Sequence, residues 1–518
     1  MIEHQDYSEI VDELTEAIGA EYVSDKAAVL NCYSRDMTPV ASGRPHVVVM
    51  PGSTEEVQAV VKIADKYETP IVVMSTGFNI GGLTICQRGG ILMDLRRMRK
   101  LEIDEESMTV TVEPAVQART IYFELKNRKT FYGLPLRVPL SLSVGSTSVL
   151  GNYVSNGGSG WAGKYGENIT LITKTKWVLP DGEILETGAG AIPNSGNVGV
   201  SGGPGPDISG MFLNASGTMG ICTEITIKLF VDKPFEGAYM ASSFDTDDDA
   251  ACEQIIDLYY EIAQSNIQDV TYKNHPGITA QMTGCMANDD PLDLVDLQPK
   301  HPLAMVVQGL TQEEVDIKVD VFKEMCVRRG MAFADPVNLG FGALMSMDNF
   351  KGCLGVNGNN ICSYKGSFNF SAFLTKMENV PQIWKEWKEI SRRFWSLKHE
   401  RPYEETLMCG FNLQGPMVFG RFTPFEIDWW WDHGDPEEIK RAALIVRKFN
   451  EFALKWGGCL FRNNSGAGEI VLPHWGIYYD LLKETKNMID PKNIMNPDVL
   501  PIGSDYLQVI KYNIEKTA

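Results

Sequence analysis

The sequence predicts an α+β chain built of more than one domain, and three observations carry that reading. The first third alternates short apolar runs with helical periods. A Gly- and Pro-rich stretch, 137–168, follows with no clear period, yet it keeps Val, Leu, Trp and Tyr. From about residue 232 the texture changes to strand-like runs with helices after or between them. At 518 residues the chain is too long for one core and fits two or three domains.

The elements follow in order. "HVVVM" at 46–50 reads as a short strand, and "PGSTEEVQAVVKIADKY" as a helix. Ser53 and Glu56 have capping-box spacing, and Val57, Val60, Val61 and Ala64 share one face. "PIVVM", "GGILMDL" and "MTVTVEP" read as strands with Gly and Pro at their ends. Residues 137–168 are too long for an ordinary connection and too apolar for disorder, so a functional segment is expected there. Beyond 232, "EGAYMASSF", "LAMVVQGL", "GSFNFSAFL" and "GPMVFGRFTP" read as strands. Thr311 with Glu314 caps one helix. Asp435, Pro436 and Glu438 open another, which Trp456-Gly457-Gly458 ends. The tail "GIYYDLLKETKNMIDPKNIMNPDVLP" reads as a helix and a Pro- and Asn-punctuated extension.

Composition removes several function classes. The chain is 44% hydrophobic and 22% charged, as globular proteins are. A net charge of −20 argues against binding a nucleic acid backbone. Its acids are dispersed, and the densest group, "DTDDDAACE", reads as a solvated helix start. No apolar run approaches a membrane span, and the N-terminus lacks an apolar signal core, so a cytoplasmic protein is expected. Ten scattered cysteines form no CxxC pair, which argues against an iron–sulfur cluster or zinc ribbon; the thiols are expected reduced and no metal is expected.

The stretch "IVVMSTGFNIGGLTI" at 71–85 turns from a buried strand into a run of small residues. Without Cβ atoms in the way, backbone N–H groups can converge on an anion such as a diphosphate. The loop lacks the GK[ST] of a P-loop and the G-x-G-x-x-G spacing of a dinucleotide fold. Alone it reads equally well as a turn-rich βα connection. Other segments follow in order: "VTVEPAV" at 110–116, "SVGSTSVLGNYVSNGGSG", "WVLPDGEILETGAG" at 177–190, "DISGMFLNASGTMGICTEITIKL" at 207–229 and, near the C-terminus, "IDPKNIMNPD". This ordered set resembles the vanillyl-alcohol oxidase/p-cresol methylhydroxylase superfamily of FAD-dependent oxidoreductases, over roughly 45–230 and 460–500.

The resemblance implies an FAD-binding domain of two α+β parts over 1–232, an α+β cap domain over 233–465, and a return to the FAD domain over 466–518. It also implies that Ser75, Thr76, Gly77, Phe78, Asn79 and Ile80 wrap the FAD diphosphate, with Gly81 and Gly82 closing the loop. Pro139, Ser143, Gly145, Ser146, Gly151 and Asn152 would run along the flavin. Gly220, Ile221 and Thr223 would meet its edge, and Asn496 would contribute from the tail.

The chain departs from the family where many members tether FAD through His, Cys or Tyr. The loop holds Phe78 and Asn79, and the expected cap strand 415–423 has neither His nor Tyr, so noncovalent FAD is expected; Cys409 nearby keeps an alternative open. "SVLGN" and "KYGEN" match the phenol-oxidising members, which places Glu167 where those enzymes carry an acid beside flavin N5. The tyrosines and arginine that hold a phenolate there correspond to Ala118, Ile470 and Val471, which argues against phenolate activation. The hydroxy-acid dehydrogenases' histidine cluster is missing too; His433 and His474 stand apart in sequence, each a candidate base or a scaffold residue. Arg421, Arg462 or His474 would anchor a carboxylate or hydroxyl. The tryptophans of "FEIDWWWDHG" cannot all face one way and would line a pocket, fill the cap core or form a subunit contact.

The expectation is therefore an FAD-dependent oxidoreductase. It would move a hydride from an alcohol or hydroxy-acid carbon to flavin N5. Electrons would pass to oxygen or to a protein such as an electron-transfer flavoprotein or an iron–sulfur partner subunit. A small-molecule substrate and a homo-oligomer are expected. Oxidation of a 4-alkylphenol or benzylic alcohol, a non-redox flavoprotein, and a flavin-free binding protein are the rivals.

Overall fold

The computed structural model of the protein describes residues 7–79, 81–141, 144–197, 204–277, 295, 298–335, 364–395, 410–413, 415, 417–460 and 466–505. Its first sheet holds β1 (Val23–Ser24), β2 (Val47–Val49), β3 (Ile71–Met74) and β4 (Ile91–Asp94) in the order β1-β2-β4-β3. β2, β4 and β3 run parallel, and the helix Thr54–Lys66 makes the crossover from β2 to β3. That helix starts as its spacing predicts. Ser53 Oγ accepts from the Glu56 amide at 3.2 Å, and Glu56 Oε2 accepts from the Gly52 amide at 2.7 Å. Its face of Val57, Val60, Val61 and Ala64 is fully buried against the sheet.

The second sheet is antiparallel, with order β5-β6-β10-β8-β9: β5 (Leu101–Asp104), β6 (Thr109–Val112), β8 (Ile172–Val178), β9 (Ile184–Gly188) and β10 (Ile221–Lys228). β7 (Leu136–Arg137) leaves it to pair with β11 (Phe230–Val231). The stretch 137–168 contains two short helices, Val149–Val154 and Ala162–Tyr165, between irregular turns. Small residues there give no hydrophobic period to read.

After residue 232 come β12 (Phe235–Ser242), β13 (Val270–Lys273), β14 (Leu303–Gly309) and β15 (Ala332–Ala334), antiparallel in the order β13-β14-β12-β15. The last sheet is β17-β16-β18, from β16 (Ser367–Thr375), β17 (Thr423–Trp431) and β18 (Cys459–Leu460). The helices Asp248–Ser265, Gln312–Arg328, Val380–Trp395 and Pro436–Lys455 pack on these two sheets around one shared core. Thr311 and Asp435 cap the second and fourth of them.

Two sequence expectations fail here. The strand expected at 415–423 is instead a turn at Val418–Gly420 that leads into β17, because Gly415, Phe419 and Gly420 all take left-handed φ values (+69°, +63° and +68°). The acidic start of helix Asp248–Ser265 is not wholly solvated. Asp248 accepts from Lys388 Nζ at 2.6 Å and Trp384 Nε1 at 2.8 Å, and it faces His301 Nε2 at 3.0 Å.

The C-terminal segment returns to the first sheet. Met495 bridges Ile71 in parallel, with Ile71 N–H donating to the Ile494 carbonyl at 2.7 Å and Asn496 N–H to the Ile71 carbonyl at 2.8 Å. Lys486 and Asp490 form a fully buried ion pair beneath this turn; Asp490 also accepts from the amides of Ile494 and Met495. Arg88 clasps Asp498 through two bonds of 2.6 Å.

Candidate active-site cleft

A cleft opens where the glycine loop, the 147–157 segment, β10, the C-terminal return and β16 meet. Ser75, Gly77, Phe78, Asn79 and Gly81 line it from the loop; Gly151 and Asn152 from the helix Val149–Val154; Gly220 from the start of β10; Asn496 from the tail. Of the expected residues these nine converge. No lysine, arginine, histidine or tyrosine lines it among the described residues.

The loop closes on its own chain. Gly81 N–H donates to Asn79 Oδ1 at 2.8 Å, and Gly82 N–H to Asp36 Oδ2 at 2.9 Å. These two amides are engaged within the chain as the loop closes, and Gly81 still lines the cleft. Asp36 also accepts from Thr38, and burial pushes its carboxyl above the usual range. Thr76 faces a second, polar cleft on the other side of the loop, shared with Arg35, Arg96, Lys365 and His433. His433 Nδ1 bonds Ser367 Oγ, and its Nε2 lies 3.1 Å from the Thr38 carbonyl oxygen. A carbonyl only accepts, so Nε2 carries the proton, and His433 ties Ser367 of β16 to Thr38 with both ring nitrogens engaged.

Other candidates lie elsewhere. Ile221 is buried in the first-sheet core, and Thr223 is buried with its hydroxyl 3.4 Å from the Lys176 carbonyl; strand alternation brings Cys222 to the cleft instead. Pro139 is buried, its carbonyl accepting from Tyr153 at 2.6 Å. Gly145 and Ser146 sit in the turn before the cleft helix and do not line it. Arg421 follows the turn into β17 and His474 lies on the turn Leu472–Trp475; both are exposed and neither lines the cleft. Ala118 heads the helix Ala118–Lys126, and Val471 is buried against Ala467, so neither lines the cleft either. Ile80, Ser143, Cys409 and Arg462 fall outside the described residues.

Glu167 sits one shell back. It precedes the turn Asn168–Leu171, and Asn168 Nδ2 donates to Asn152 Oδ1 at 3.0 Å. Burial raises the Glu167 carboxyl, and a hydrogen bond with Asn156 opposes that rise. It does not line the cleft.

Sequence reading missed Asp428 and His275. In β16 and β17, Phe368 pairs with Trp430, Phe370 with Asp428, and Ala372 with Glu426, so these side chains share one face. Phe370 lines the cleft, and Asp428 is its cross-strand neighbour, buried and not itself a lining residue. Trp429 and Trp431 point the opposite way into the helical core. Asp428 is fully buried; its Oδ2 bonds Asn412 Nδ2 and lies 3.2 Å from His275 Nε2. His275 Nδ1 accepts from the Gly277 amide at 3.1 Å, so Nε2 is protonated and donates. Asp428 Oδ1 has no partner among the described residues. Burial pushes this carboxyl up to about 8 and holds the His275 imidazole well below its ordinary value. The signal for Asp428 was alternation within "FEIDWWWDHG"; that for His275 was not in the sequence, because only the fold joins it to Asp428.

The cleft fits FAD. Its loop offers backbone and small side chains at close range: Gly77 has φ +83°, and a Cβ on Gly151 would come within 3.2 Å of Ser75 Oγ. Asn496 donates through Nδ2 to the Ser216 carbonyl at 2.6 Å, while its Oδ1 is buried with no partner among the described residues. A flavin or ribityl donor would satisfy that oxygen. Trp177, Phe212 and Phe370 give flat apolar walls for ring systems.

Comparison with known proteins agrees. The FAD binding domain family matches residues 45–188. The 4-cresol dehydrogenase [hydroxylating] flavoprotein subunit of Pseudomonas putida is 26% identical over 95% of each chain. Glycolate oxidase subunit GlcD of Bacillus subtilis is 29% identical, but over only 48% of this chain and 50% of its own. Among solved structures, p-cresol methylhydroxylase with substrate bound superposes with a TM-score of 0.80, covering 95% of this chain and 96% of that one at 22% identity. With the ordered motifs, the glycine-lined cleft and a relative matching along nearly the whole length, the chain belongs to the vanillyl-alcohol oxidase/p-cresol methylhydroxylase superfamily and is an FAD-linked oxidoreductase.

Proposed function

We propose that the enzyme oxidises the carbon of a ring-bearing alcohol, and the observation that carries this is Asp428 beside Phe370 on the cap face. A buried carboxylate takes the hydroxyl proton as the carbon loses its hydrogen. Its raised pKa suits it to that work near neutral pH. His275 Nε2–H and Asn412 Nδ2–H hold Oδ2, which leaves Oδ1 for the substrate. Phe368, Phe370 and Trp430 supply an apolar face for the ring and exclude water. FAD, when bound, supplies the electron sink for the carbon being oxidised. Ser75, Gly77, Phe78, Asn79, Gly81, Gly151, Asn152, Gly220 and Asn496 would hold it, within an FAD domain over 1–232, a cap over 233–465 and a return over 466–518.

A hydroxy acid is the weaker fit of the two alcohol classes. Its carboxylate needs a cation, and the described lining offers none. A second reading, a 4-alkylphenol substrate, rests on the P. putida relative matching the cap as well as the FAD half, whereas the glycolate oxidase match covers about half the chain. Anaerobic mixing with benzyl alcohol, vanillyl alcohol, 4-cresol and a panel of 2-hydroxy acids separates the readings. Bleaching of the flavin by the alcohols supports the proposal. Bleaching by 4-cresol alone, or by hydroxy acids alone, sinks it.

The electrons pass to a protein partner in this reading, since the P. putida relative is named as one subunit of its enzyme. FAD is held without a covalent bond. The described lining holds no His or Tyr, and burial keeps the Cys222 thiol protonated and unreactive. Acid precipitation should leave all yellow colour in the supernatant; colour in the pellet would contradict this.

A further inference from the structure

A further cavity, of about 210 Å³, lies away from the FAD cleft and shares no lining residue with it. Leu140, Val138 and Trp161 form apolar wall; Arg137, Lys126 and Asp232 carry the charge. Arg137 is 7% exposed and its guanidinium stacks on the Trp161 indole. Its Nε and Nη2 are buried and meet no acceptor among the described residues. Those two nitrogens share one edge of the guanidinium, the edge that receives both oxygens of a carboxylate. Burial pulls its pKa down, against the opposing effects of Tyr165, Asp232 and Asp269, yet an arginine keeps its charge in such a site. Asp232 is already engaged by Gln308 Nε2 at 2.8 Å. Tyr165 hydrogen-bonds the guanidinium and Asp269 acts on it as well, so the donors still to be satisfied are Nε and Nη2.

We propose that this cavity binds a small ring-bearing monocarboxylate, at a site distinct from the FAD cleft. Orphaned charged donors are costly to bury, and a bidentate carboxylate would satisfy both at once. Size agrees: a cavity of about 150 Å³ accommodates a benzene ring, so 210 Å³ has room for a ring and a carboxyl group. The indole, leucine and valine surfaces match the ring.

Sodium benzoate is the probe, titrated calorimetrically into the FAD-loaded enzyme. Wild type should show one saturable site that a cleft-bound alcohol does not displace. Arg137→Met should weaken benzoate on the order of 10- to 100-fold, the scale of a hydrogen bond to a charged group, with FAD content unchanged. Lys126→Glu, an exposed change that leaves the core untouched, should weaken it by a few fold. Absence of saturable binding to wild type would overturn the proposal. So would wild-type affinity in Arg137→Met, or displacement by the alcohol, since either puts benzoate elsewhere. Should Arg137→Met fail to fold, unchanged affinity in Lys126→Glu overturns it alone.

Discussion

Asp428 and Glu167 are two carboxyls raised by the same cause, burial, but placed differently. Asp428 shares a face with a cleft-lining phenylalanine; Glu167 does not line the cleft and its carboxyl is hydrogen-bonded by Asn156. Removing the ionisable oxygen of Asp428 with Asn should cut flavin reduction by on the order of 10²-fold or more. It should also abolish the limb of kcat/KM that rises toward pH about 8. An unchanged pH profile would count against it as the base. The same group sets a stability trend. Its folded pKa, about 8, lies above an unfolded value of about 4, so its contribution is complete below the unfolded value. That contribution drains away as pH rises through 8. Asp428→Asn should therefore gain thermal stability relative to wild type between pH 5 and 8; parallel melting curves across that range would refute the linkage. Glu167→Gln should keep FAD and slow flavin reduction less than Asp428→Asn does, because Asp428 pairs with cleft-lining Phe370 whereas the Glu167 carboxyl is engaged by Asn156. A larger effect at Glu167 than at Asp428 would reverse the two roles.

At the scale of elements, the glycine loop works by backbone conformation. Gly77 at φ +83° has open space for a side chain: the nearest atom to a Cβ added there would be Met74 Sδ, at 3.5 Å. Conformation therefore decides the effect of a substitution here. Left-handed backbone costs an L-residue about 1–2 kcal/mol, and a β-branched one more. Gly77→Val should fold, since the rest of the first-sheet core is untouched, and purify with reduced FAD. Full flavin content would show that the loop does not hold the cofactor. β17 shows what an element decides beyond its composition. Its nine residues are all buried, so no polar face announces which side is the core. Only the helices packed on Phe425, Ile427, Trp429 and Trp431 free the alternate face for the cleft. The turn at 418–420 hides in the sequence because "GPMVFGRFTP" is apolar enough for a strand, while its glycines and Phe419 take positive φ.

Across the whole molecule, the return of the tail builds the cleft. Lys486 Nζ donates to the Thr218 carbonyl at 2.7 Å and the Met495 carbonyl at 3.1 Å while paired with Asp490. It thereby links the tail helix, the 214–219 turn and the bridged segment that leads into Asn496. Replacing it with Met would leave Asp490 buried without its cation, a loss of about 3–5 kcal/mol. We expect a lower melting temperature together with faster FAD release. A normal melt with normal FAD retention would show that the tail closes without the pair.

The sequence alone determined the elements whose cause is local. Ser53, Thr311 and Asp435 start their helices where their spacing says, because a cap needs only neighbours three or fewer residues away. It determined the α+β class, the FAD-binding character of the loop region and the superfamily, because ordered motifs survive when the rest of the chain diverges. Tertiary structure alone decided which polar groups meet. His275 and Asp428 are 153 residues apart, and Asn412 joins them only because a β-bridge with Glu426 carries it there. It also took His474 and Arg421 to the surface and left Arg137 buried beside an apolar cavity. Pairing over such distances is fixed by the packing of whole sheets, and no window of sequence contains that information.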